Sequence, residues 1–338
     1  MKTGNWYASL ASLKLTLVII VLFAGCVVAV YLTELSPSWI LAFPLFLFAV
    51  NLLAAILTNP KFRSQMPLLV FHLALLSLVL LLVVSRLTYL KGHVEITEGE
   101  MFNGQLTKVE YGPFHSGDLS QVRFKQLDFR IYYSPGMNRG KTDSHIIWSD
   151  KNGNQHDGVI GSHIPLVLSG YRFYTTHNKG FAPLFVWQPN NSSSRYGVQS
   201  QSGSIHFPSY PANEYQQALD WVIPGTQHHL WTMLEINETV IDKMQGSVFK
   251  PPAKHHLVMR YAGQRVELKP GDYLQLPDGK LHYQELRAWM GYEVFYDWTM
   301  PWLLAVCLVN VLALSWYYWQ KYASRPWQCD DNENIDGK

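Results

Sequence analysis

The sequence predicts a membrane α-helical bundle of four transmembrane helices together with a large, β-rich extracytoplasmic domain. Three observations lead to this fold class. Four apolar runs are long enough to cross a bilayer, nearly all charged residues lie between the third run and the fourth, and that intervening stretch alternates apolar with polar residues. Charged residues make up only 15% of the 338 residues, against about 25% in soluble proteins.

The apolar runs each hold roughly 18–20 residues, which at about 1.5 Å per residue span a hydrocarbon core of about 30 Å. We expect an N-terminal membrane region over 1–89, with helices over about 15–33, 39–57 and 67–84, and a fourth helix over 299–320. The first run could instead be a cleaved signal peptide. Its apolar stretch exceeds the roughly 7–15 residues typical of such peptides, and its exit has no small-x-small cleavage site, which favours a retained helix.

The orientation in the membrane is predicted from the lysine and arginine residues near the helix ends, because cytoplasmic loops are enriched in them. Six basic residues lie on one side of the membrane and two, Arg86 and Lys91, on the other. The six are Lys2, Lys14, Lys61, Arg63, Lys321 and Arg325. Both termini, including a short tail over 321–338, are therefore expected in the cytoplasm, and residues 90–298 are expected outside it.

The extracytoplasmic domain is predicted to be rich in β-strands. Val122 and Phe124 alternate with polar residues, and a second alternating series begins at Leu127 after a phase slip that indicates a β-bulge. Another alternating series ends at Tyr261, followed by a turn at Ala262. A sandwich or barrel-like arrangement buries such strands. We further expect a loop over 188–203 and a short helix over 214–222.

Composition argues against several functional classes. The net charge of +2 gives no broad basic surface for nucleic acid. The cysteines Cys26, Cys307 and Cys329 form no CxxC or CxxCH motif, which disfavours a thiol-disulfide enzyme and a covalent c-type haem protein. No GxSxG elbow is present, and we predict no catalytic residue.

Histidines are frequent in the predicted outer domain, which holds 12 of the 13. Two adjacent pairs occur, His228 with His229 and His255 with His256. Neighbours on a strand point to opposite faces, so an adjacent pair is a poor metal chelate. We interpret these as surface or turn histidines.

His72 is the one ionisable residue well inside a predicted transmembrane helix, within the segment PLLVFHLALL. An ionisable group at that depth is costly and by default indicates a functional site. Neutral imidazole is a common axial ligand of haem iron. A histidine that only hydrogen-bonds a neighbouring helix is the alternative, and the residue alone does not separate the two. Asn51 and Asn310 are further intramembrane polar residues that could bond between helices.

The order of three helices, an outer β domain and a fourth helix resembles the ResB family of cytochrome c biogenesis, the System II haem-delivery machinery. Local segments are similar as well: residues 10–19 (LASLKLTLVI), 71–73 (FHL), 92–100 (GHVEITEGE), 164–174 (IPLVLSGYRFY) and 290–301 (MGYEVFYDWTMP). The sequence departs from the family where Asp-Pro-Gly is usual before the last helix and Asp297-Trp298-Thr299 stands here.

The resemblance implies a non-catalytic subunit of a haem-ligation complex in the bacterial inner membrane. Such a subunit works with a ResC-type polytopic partner, binds haem b transiently through His72, and presents it with apocytochrome c for thioether attachment. The partners implied are therefore the ResC-type protein, the apocytochrome and the lipid bilayer. An envelope sensor or receptor and a structural assembly scaffold of a respiratory membrane complex remain alternatives at this point.

Overall fold

A computed structural model of the protein describes residues 9–33, 37–150, 152–190 and 201–323. Contacts divide the chain into two units. The helical unit comprises the described parts of Met1–Leu90, Glu110–Ser116 and Asp297–Lys338. The sheet unit comprises the described parts of Lys91–Val109 and Gly117–Tyr296.

The helical unit contains five helices among its described residues. They are α1 (Leu13–Leu32), α2 (Pro37–Thr58), α3 (Pro60–Ser64), α4 (Met66–Thr88) and α5 (Met300–Tyr322). All except α3 are long and apolar enough to cross a membrane. Their sides expose large apolar residues such as Leu17 (58%) and Val21 (72%), which suits contact with lipid. The predicted fold class is confirmed, whereas the short helix α3 was not predicted.

Asn51 joins the start of α1 to α2. Its side chain is 4% exposed, and its Oδ1 accepts a hydrogen bond from Thr16 Oγ1 at 2.8 Å. Its Nδ2 donates to the carbonyl oxygens of Leu10 at 2.5 Å and Ser12 at 3.4 Å. Asn51 is therefore an inter-helix partner as expected. Asn310 is not, because its Nδ2 donates to Val306 of the same helix, and its buried Oδ1 has no partner among the described residues.

Replacing Asn51 with leucine is expected to destabilise the helical unit by about 0.5–2 kcal/mol, the range for hydrogen bonds between membrane helices. The matched control is Asn310→Leu, which removes a bond within one helix only. The free energy of unfolding, measured by denaturant titration of the purified protein in detergent, should fall for the first variant and stay near the wild-type value for the second. Equal losses in both would contradict an inter-helix role for Asn51.

The described residues form strands with the following bounds: β1 (Leu90–Thr97), β2 (Lys108–Tyr111), β3 (Lys125–Ser134), β4 (Asn138–Ser149), β5 (Gln155–Ile160), β6 (Leu166–Leu168), β7 (Tyr171–Pro189), β8 (Gln201–Ser204), β9 (Ala218–Val222), β10 (His229–Ile236), β11 (Ser247–Val248), β12 (His255–Tyr261), β13 (Gln264–Leu268), β14 (Tyr273–Leu276) and β15 (Gly279–Tyr296).

Three sheets are formed by these strands. The largest has seven strands in the order β2-β1-β15-β7-β6, with β14 added to β15 and β8 added to β7. The other two have the orders β13-β12-β10-β9 and β11-β3-β4-β5. The long strands β7 and β15 pair antiparallel from Gly279 opposite Pro189 to Tyr296 opposite Tyr171. Packed aromatic rings fill the interior, including Phe124, whose ring centroid lies 5.1 Å from that of Phe173.

The predicted bulge is present in β3. The pairing of β3 with β4 shifts register between Gln126 and Asp128. Leu127, at the shift, is 43% exposed, so this leucine does not belong to the apolar face. The shift allows both Phe124 and Phe129 to be buried.

The predicted turn at Ala262 is also present, and it links β12 to β13. Ala262 and Gly263 both have positive φ angles, 47° and 80°, as a tight two-residue hairpin turn requires. The predicted helix over 214–222 is wrong, because Ala218–Val222 forms strand β9 and pairs with β10. Pairing with a neighbouring strand overrides weak local helix propensity there. The loop expected over 188–203 is wrong at both ends, where residues 188–189 belong to β7 and residues 201–203 to β8, and its middle, 191–200, lies outside the described residues.

Candidate functional site

The loop between the second and third long helices is ordered by α3. Asn59 caps this helix, since its Oδ1 accepts a hydrogen bond from the backbone N–H of Lys61 at 3.1 Å. Pro60 occupies the first turn, where the missing N–H has no helical partner to lose. The cap and the proline fix a single helical turn that carries Phe62 directly before α4.

The ring of His72 lies against that turn. His72 is on α4, and its ring stacks on Phe62 with centroids 4.1 Å apart and planes inclined by 28°. Phe71 contacts the same ring edge-on, with centroids 5.3 Å apart. The histidine is half-buried. The two aromatic neighbours restrict the orientation of the imidazole, as a precise ligand requires.

The hydrogen bond of His72 determines its tautomer. Nδ1 lies 2.7 Å from the carbonyl oxygen of Leu68, one helical turn earlier. A carbonyl only accepts, so Nδ1 carries the hydrogen and donates it. Nε2 then has a free lone pair, and within residues 9–33, 37–150, 152–190 and 201–323 no side chain or backbone group hydrogen-bonds to it.

This arrangement fits a ligand of haem iron. Histidines that bind metals generally donate their other ring N–H to a carbonyl or carboxylate, which fixes the tautomer and raises the basicity of the ligating nitrogen. The Leu68 carbonyl supplies that bond here. A neutral imidazole also introduces no buried charge into an apolar segment.

The opposite end of α4 carries a second polar cluster. Ser85 Oγ donates to Oδ2 of Asp297 at 2.7 Å, while Oδ1 of the same carboxylate accepts from the N–H and the hydroxyl of Thr299 at 2.9 and 2.7 Å. Trp298 Nε1 donates to Thr88 Oγ1 at 3.1 Å. Asp297 is 5% exposed, and its hydrogen bonds tie the end of α4 to the beginning of α5.

The segment Glu110–Ser116 packs on the same end of α4. The N–H of Gly112 donates to the carbonyl of Tyr89 at 2.9 Å, and that of Phe114 donates to Leu87 at 2.8 Å. Nδ1 of His115 donates to the carbonyl of Thr88 at 2.9 Å. These bonds satisfy carbonyl groups that a helix C-terminus leaves without partners.

Sequence reasoning missed the role of this segment and of Asp297. An Asp-x-Thr triplet followed by Met-Pro is typical of the start of a helix, so the sequence contains a signal from which the role of Asp297 can be predicted. The return of residues 110–116 to the helical unit had no local signal, because it depends on contacts with residues more than twenty positions away.

The paired histidines of the sheet unit differ from one another. His229 is exposed, as expected for a surface histidine. His255 is half-buried and lies 2.7 Å from the hydroxyl of the buried Tyr283, and burial lowers the pKa of its imidazole. In the described part of the chain, no three or more histidine, cysteine or acidic residues are grouped to hold a metal ion.

Comparison with known proteins identifies the family. Among solved structures, the chain is similar to a protein titled Cytochrome c Heme Lyase CcmF, with 11% sequence identity, 91% of this chain aligned and a TM-score of 0.26. The chain spans about a third of that protein, 35% of its length. No curated protein is similar enough in sequence to count as a match. A sequence model of the ResB-like family matches residues 63–322, which include His72, the sheet unit and α5. Since this match extends over well more than half of the chain, the protein is a member of the ResB-like family.

Proposed function

We propose that this protein takes part in cytochrome c biogenesis, as an inner-membrane subunit that helps carry haem b across the membrane and presents it with apocytochrome c. Membership of the ResB-like family supports the general role. The geometry of His72 is the single observation that carries the finer proposal, because its Nδ1 donates to Leu68 and leaves Nε2 free for iron.

Haem is the cargo in this proposal. His72 Nε2 serves as one axial ligand, and a histidine of a ResC-type polytopic partner serves as the other. The vinyl groups of haem supply the chemistry of thioether attachment to the apocytochrome. The residues of this chain do not perform that attachment: Leu68 holds the His72 tautomer, and Phe62 and Phe71 hold the ring orientation.

The proposed orientation places both termini in the cytoplasm and the sheet unit outside it. The distribution of lysine and arginine near the helix ends supports this orientation. His72 then lies toward the cytoplasmic end of α4. Protease added to intact spheroplasts should cleave within the sheet unit and spare a tag on either terminus; cleavage of the tags alone would reverse the orientation.

A purely structural histidine is the main competing explanation, and it fits an assembly scaffold better than a haem carrier. In that role the ring needs only its packing against Phe62 and Phe71 and its one hydrogen bond. The ligand role needs in addition a ring nitrogen that no other group occupies. Among the described residues only Nδ1 has a partner, so Nε2 meets that requirement.

Replacing His72 with alanine is expected to lower the haem content of the purified complex by about tenfold or more, since even the loss of an outer-shell bond to a ligating histidine typically costs that much. The complex is prepared in detergent after co-expression with its ResC-type partner. The reduced absorption spectrum, normalised to protein, gives the content of haem b. Added imidazole should restore part of the signal, because it replaces the missing ligand.

Ser77→Ala is the matched control. Ser77 also bonds a carbonyl one turn earlier on α4, that of Leu73 at 2.9 Å, but it offers no ligand to iron. This variant should keep its haem. An assembled His72→Ala complex with wild-type haem content, or a wild-type complex without haem, would leave His72 as a packing residue and favour the scaffold.

A further inference from the structure

A lysine is buried among aromatic rings in the sheet unit. Lys179 on β7 is 3% exposed. Its Nζ lies 5.5 Å from the ring centroid of Tyr133 and 5.7 Å from that of Phe249. Both rings are themselves buried. Cation–π contacts compensate part of the cost of desolvating the ammonium group, but they do not supply a hydrogen-bond acceptor.

A second cation lies beside the same tyrosine. Arg139 on β4 donates through Nη2 to Thr142 Oγ1 and to the carbonyl of Thr176, both at 2.8 Å. Its Nη1 is buried and has no hydrogen-bond partner in the part of the chain that the structure describes. Arg139 therefore bonds to β7 through Nη2, whereas Nη1 makes no hydrogen bond to the described residues.

The strand register shows that Arg139 lies on the same sheet face as Tyr133, the ring that Lys179 contacts. Tyr133 of β3 lies directly opposite Arg139 of β4 on one side and Ser247 of β11 on the other. Side chains of directly opposed residues point to the same face of a sheet. Tyr133 is 5% exposed, so this face is the interior one. Ser247 Oγ is also buried without a partner among the described residues.

The positive charges of Arg139 and Lys179 are not neutralised by acidic side chains of the described residues. No aspartate or glutamate oxygen of the described residues lies within the 4.0 Å ion-pair distance of Arg139 or Lys179. Burial and, to a smaller extent, the positive charge of Arg139 together lower the pKa of Lys179 to about 8. Buried charges in proteins are normally paired with an opposite charge. Arg139, which has one buried nitrogen without a partner among the described residues, and Lys179, which has no acidic partner among them, form the complement of an anion.

We propose that Arg139 and Lys179 bind one small oxyanion in the interior of the sheet unit, beside the ring of Tyr133. Arg139 Nη1 is buried and Lys179 is 3% exposed, so the site accepts a compact group: inorganic phosphate or sulfate, or the carboxylate of a small acid. The arginine arm and the lysine ammonium supply the charge-assisted hydrogen bonds that such groups prefer. This inference rests on the sheet unit alone and does not depend on the proposed role of His72.

The test uses the full-length protein in detergent at constant ionic strength, with sodium chloride replaced stepwise by phosphate, sulfate or acetate. A ligand that binds only the folded state raises the unfolding midpoint as its concentration rises. We expect a saturable rise of the midpoint with at least one of these anions, and one binding site per chain by isothermal titration calorimetry. The responding anion distinguishes an inorganic oxyanion from a carboxylate.

Lys179→Met is the decisive variant, because methionine keeps most of the side-chain length and removes the charge. It should lose the anion-dependent rise and, without added anion, should unfold at a temperature equal to or above that of the wild type. Lys280→Met is the matched control. Lys280 also lies over an aromatic ring, that of Tyr273 at 5.1 Å, but it is exposed, so its loss should leave the anion response unchanged.

Two results would overturn the inference. One is the absence of stoichiometric anion binding to the wild type by calorimetry, which does not depend on any variant being folded. The other is an equal rise of the unfolding midpoint in the wild type and in Lys179→Met. Either result would mean that Tyr133, Phe249 and the Thr176 carbonyl suffice to hold the two cations.

Discussion

Gly112→Ala is expected to release the segment Glu110–Ser116 from the C-terminal end of α4 and to destabilise the helical unit by about 3 kcal/mol, the upper part of the usual range for overpacking. A Cβ on Gly112 would lie 2.3 Å from the carbonyl carbon and oxygen of Leu87 and 2.7 Å from the nitrogen of Thr88. These are backbone atoms of the helix end, so the clash cannot be relieved by a side-chain rotation. The segment must move and lose its hydrogen bonds to Leu87, Thr88 and Tyr89.

The measurement is the unfolding midpoint in detergent, together with the rate of limited proteolysis within Glu110–Ser116. Gly246→Ala is the control, since the nearest atom to a Cβ there is the Tyr133 carbonyl oxygen at 3.5 Å, an ordinary contact. The control should stay within about 1 kcal/mol of the wild type. If both variants unfold and are cleaved alike, the segment does not dock on α4 as described.

Trp289→Ala is expected to destabilise the sheet unit by about 3–5 kcal/mol, because it removes the largest type of side chain from a packed interior and leaves a cavity. Trp289 is 2% exposed, and its Nε1 donates to the carbonyl of Phe207 at 3.0 Å. The ring also stacks on His206, with centroids 5.5 Å apart. The loss of the indole leaves the Phe207 carbonyl without its donor.

The close approach of Gly180 to Trp289 allows a second test of the Trp289→Ala prediction. A Cβ on Gly180 would lie 2.6 Å from Trp289 Nε1, so Gly180→Ala should be destabilising in the wild type and much less so when Trp289 is already alanine. The double-mutant cycle, read from denaturant unfolding curves, should give a coupling of about 1–3 kcal/mol. Tyr273→Ala, at a side chain 57% exposed, should cost little. Additive effects of the two changes would argue that Gly180 and Trp289 do not touch.

The helical part of the fold was predictable from the sequence for a physical reason. A membrane interior cannot satisfy backbone polar groups, so a long apolar run has little choice but a helix. The short helix α3 is not predictable in this way, because its five residues, PKFRS, are too few and too polar to show a helical periodicity of apolar residues. Its existence depends on the Asn59 cap and on packing against α4.

The sheet unit was predictable only in its local features. Alternation revealed the bulge near Leu127 and the turn at Ala262, both of which are local. The sequence does not predict which strands pair with each other, because paired residues such as Tyr133 and Ser247 are far apart along the chain. The sequence of β9 predicts a helix for the same reason, since only its pairing with β10 makes it a strand.

The candidate sites also differ in how much of each can be predicted from the sequence. His72 stood out because an ionisable residue in an apolar run is costly, and its bond to Leu68 follows from helical spacing. The stacking of Phe62 on its ring needed the fold of α3. The row of Ser247, Tyr133 and Arg139 had no signal in the sequence, since it is created by the register of three strands.

The position of β1 beside β15 in the largest sheet sets the order in which the protein can be built. About 180 residues separate the end of β1 at Thr97 from the start of β15 at Gly279, and a ribosome working at about 5–20 residues per second needs roughly 10–40 s to make them. During that interval one edge of β1 has no native partner and is open to mispairing. Helix α5 begins at Met300, directly after β15. β15 and α5 are therefore synthesised within seconds of each other, so the largest sheet is completed at nearly the same time as α5 becomes available to the membrane.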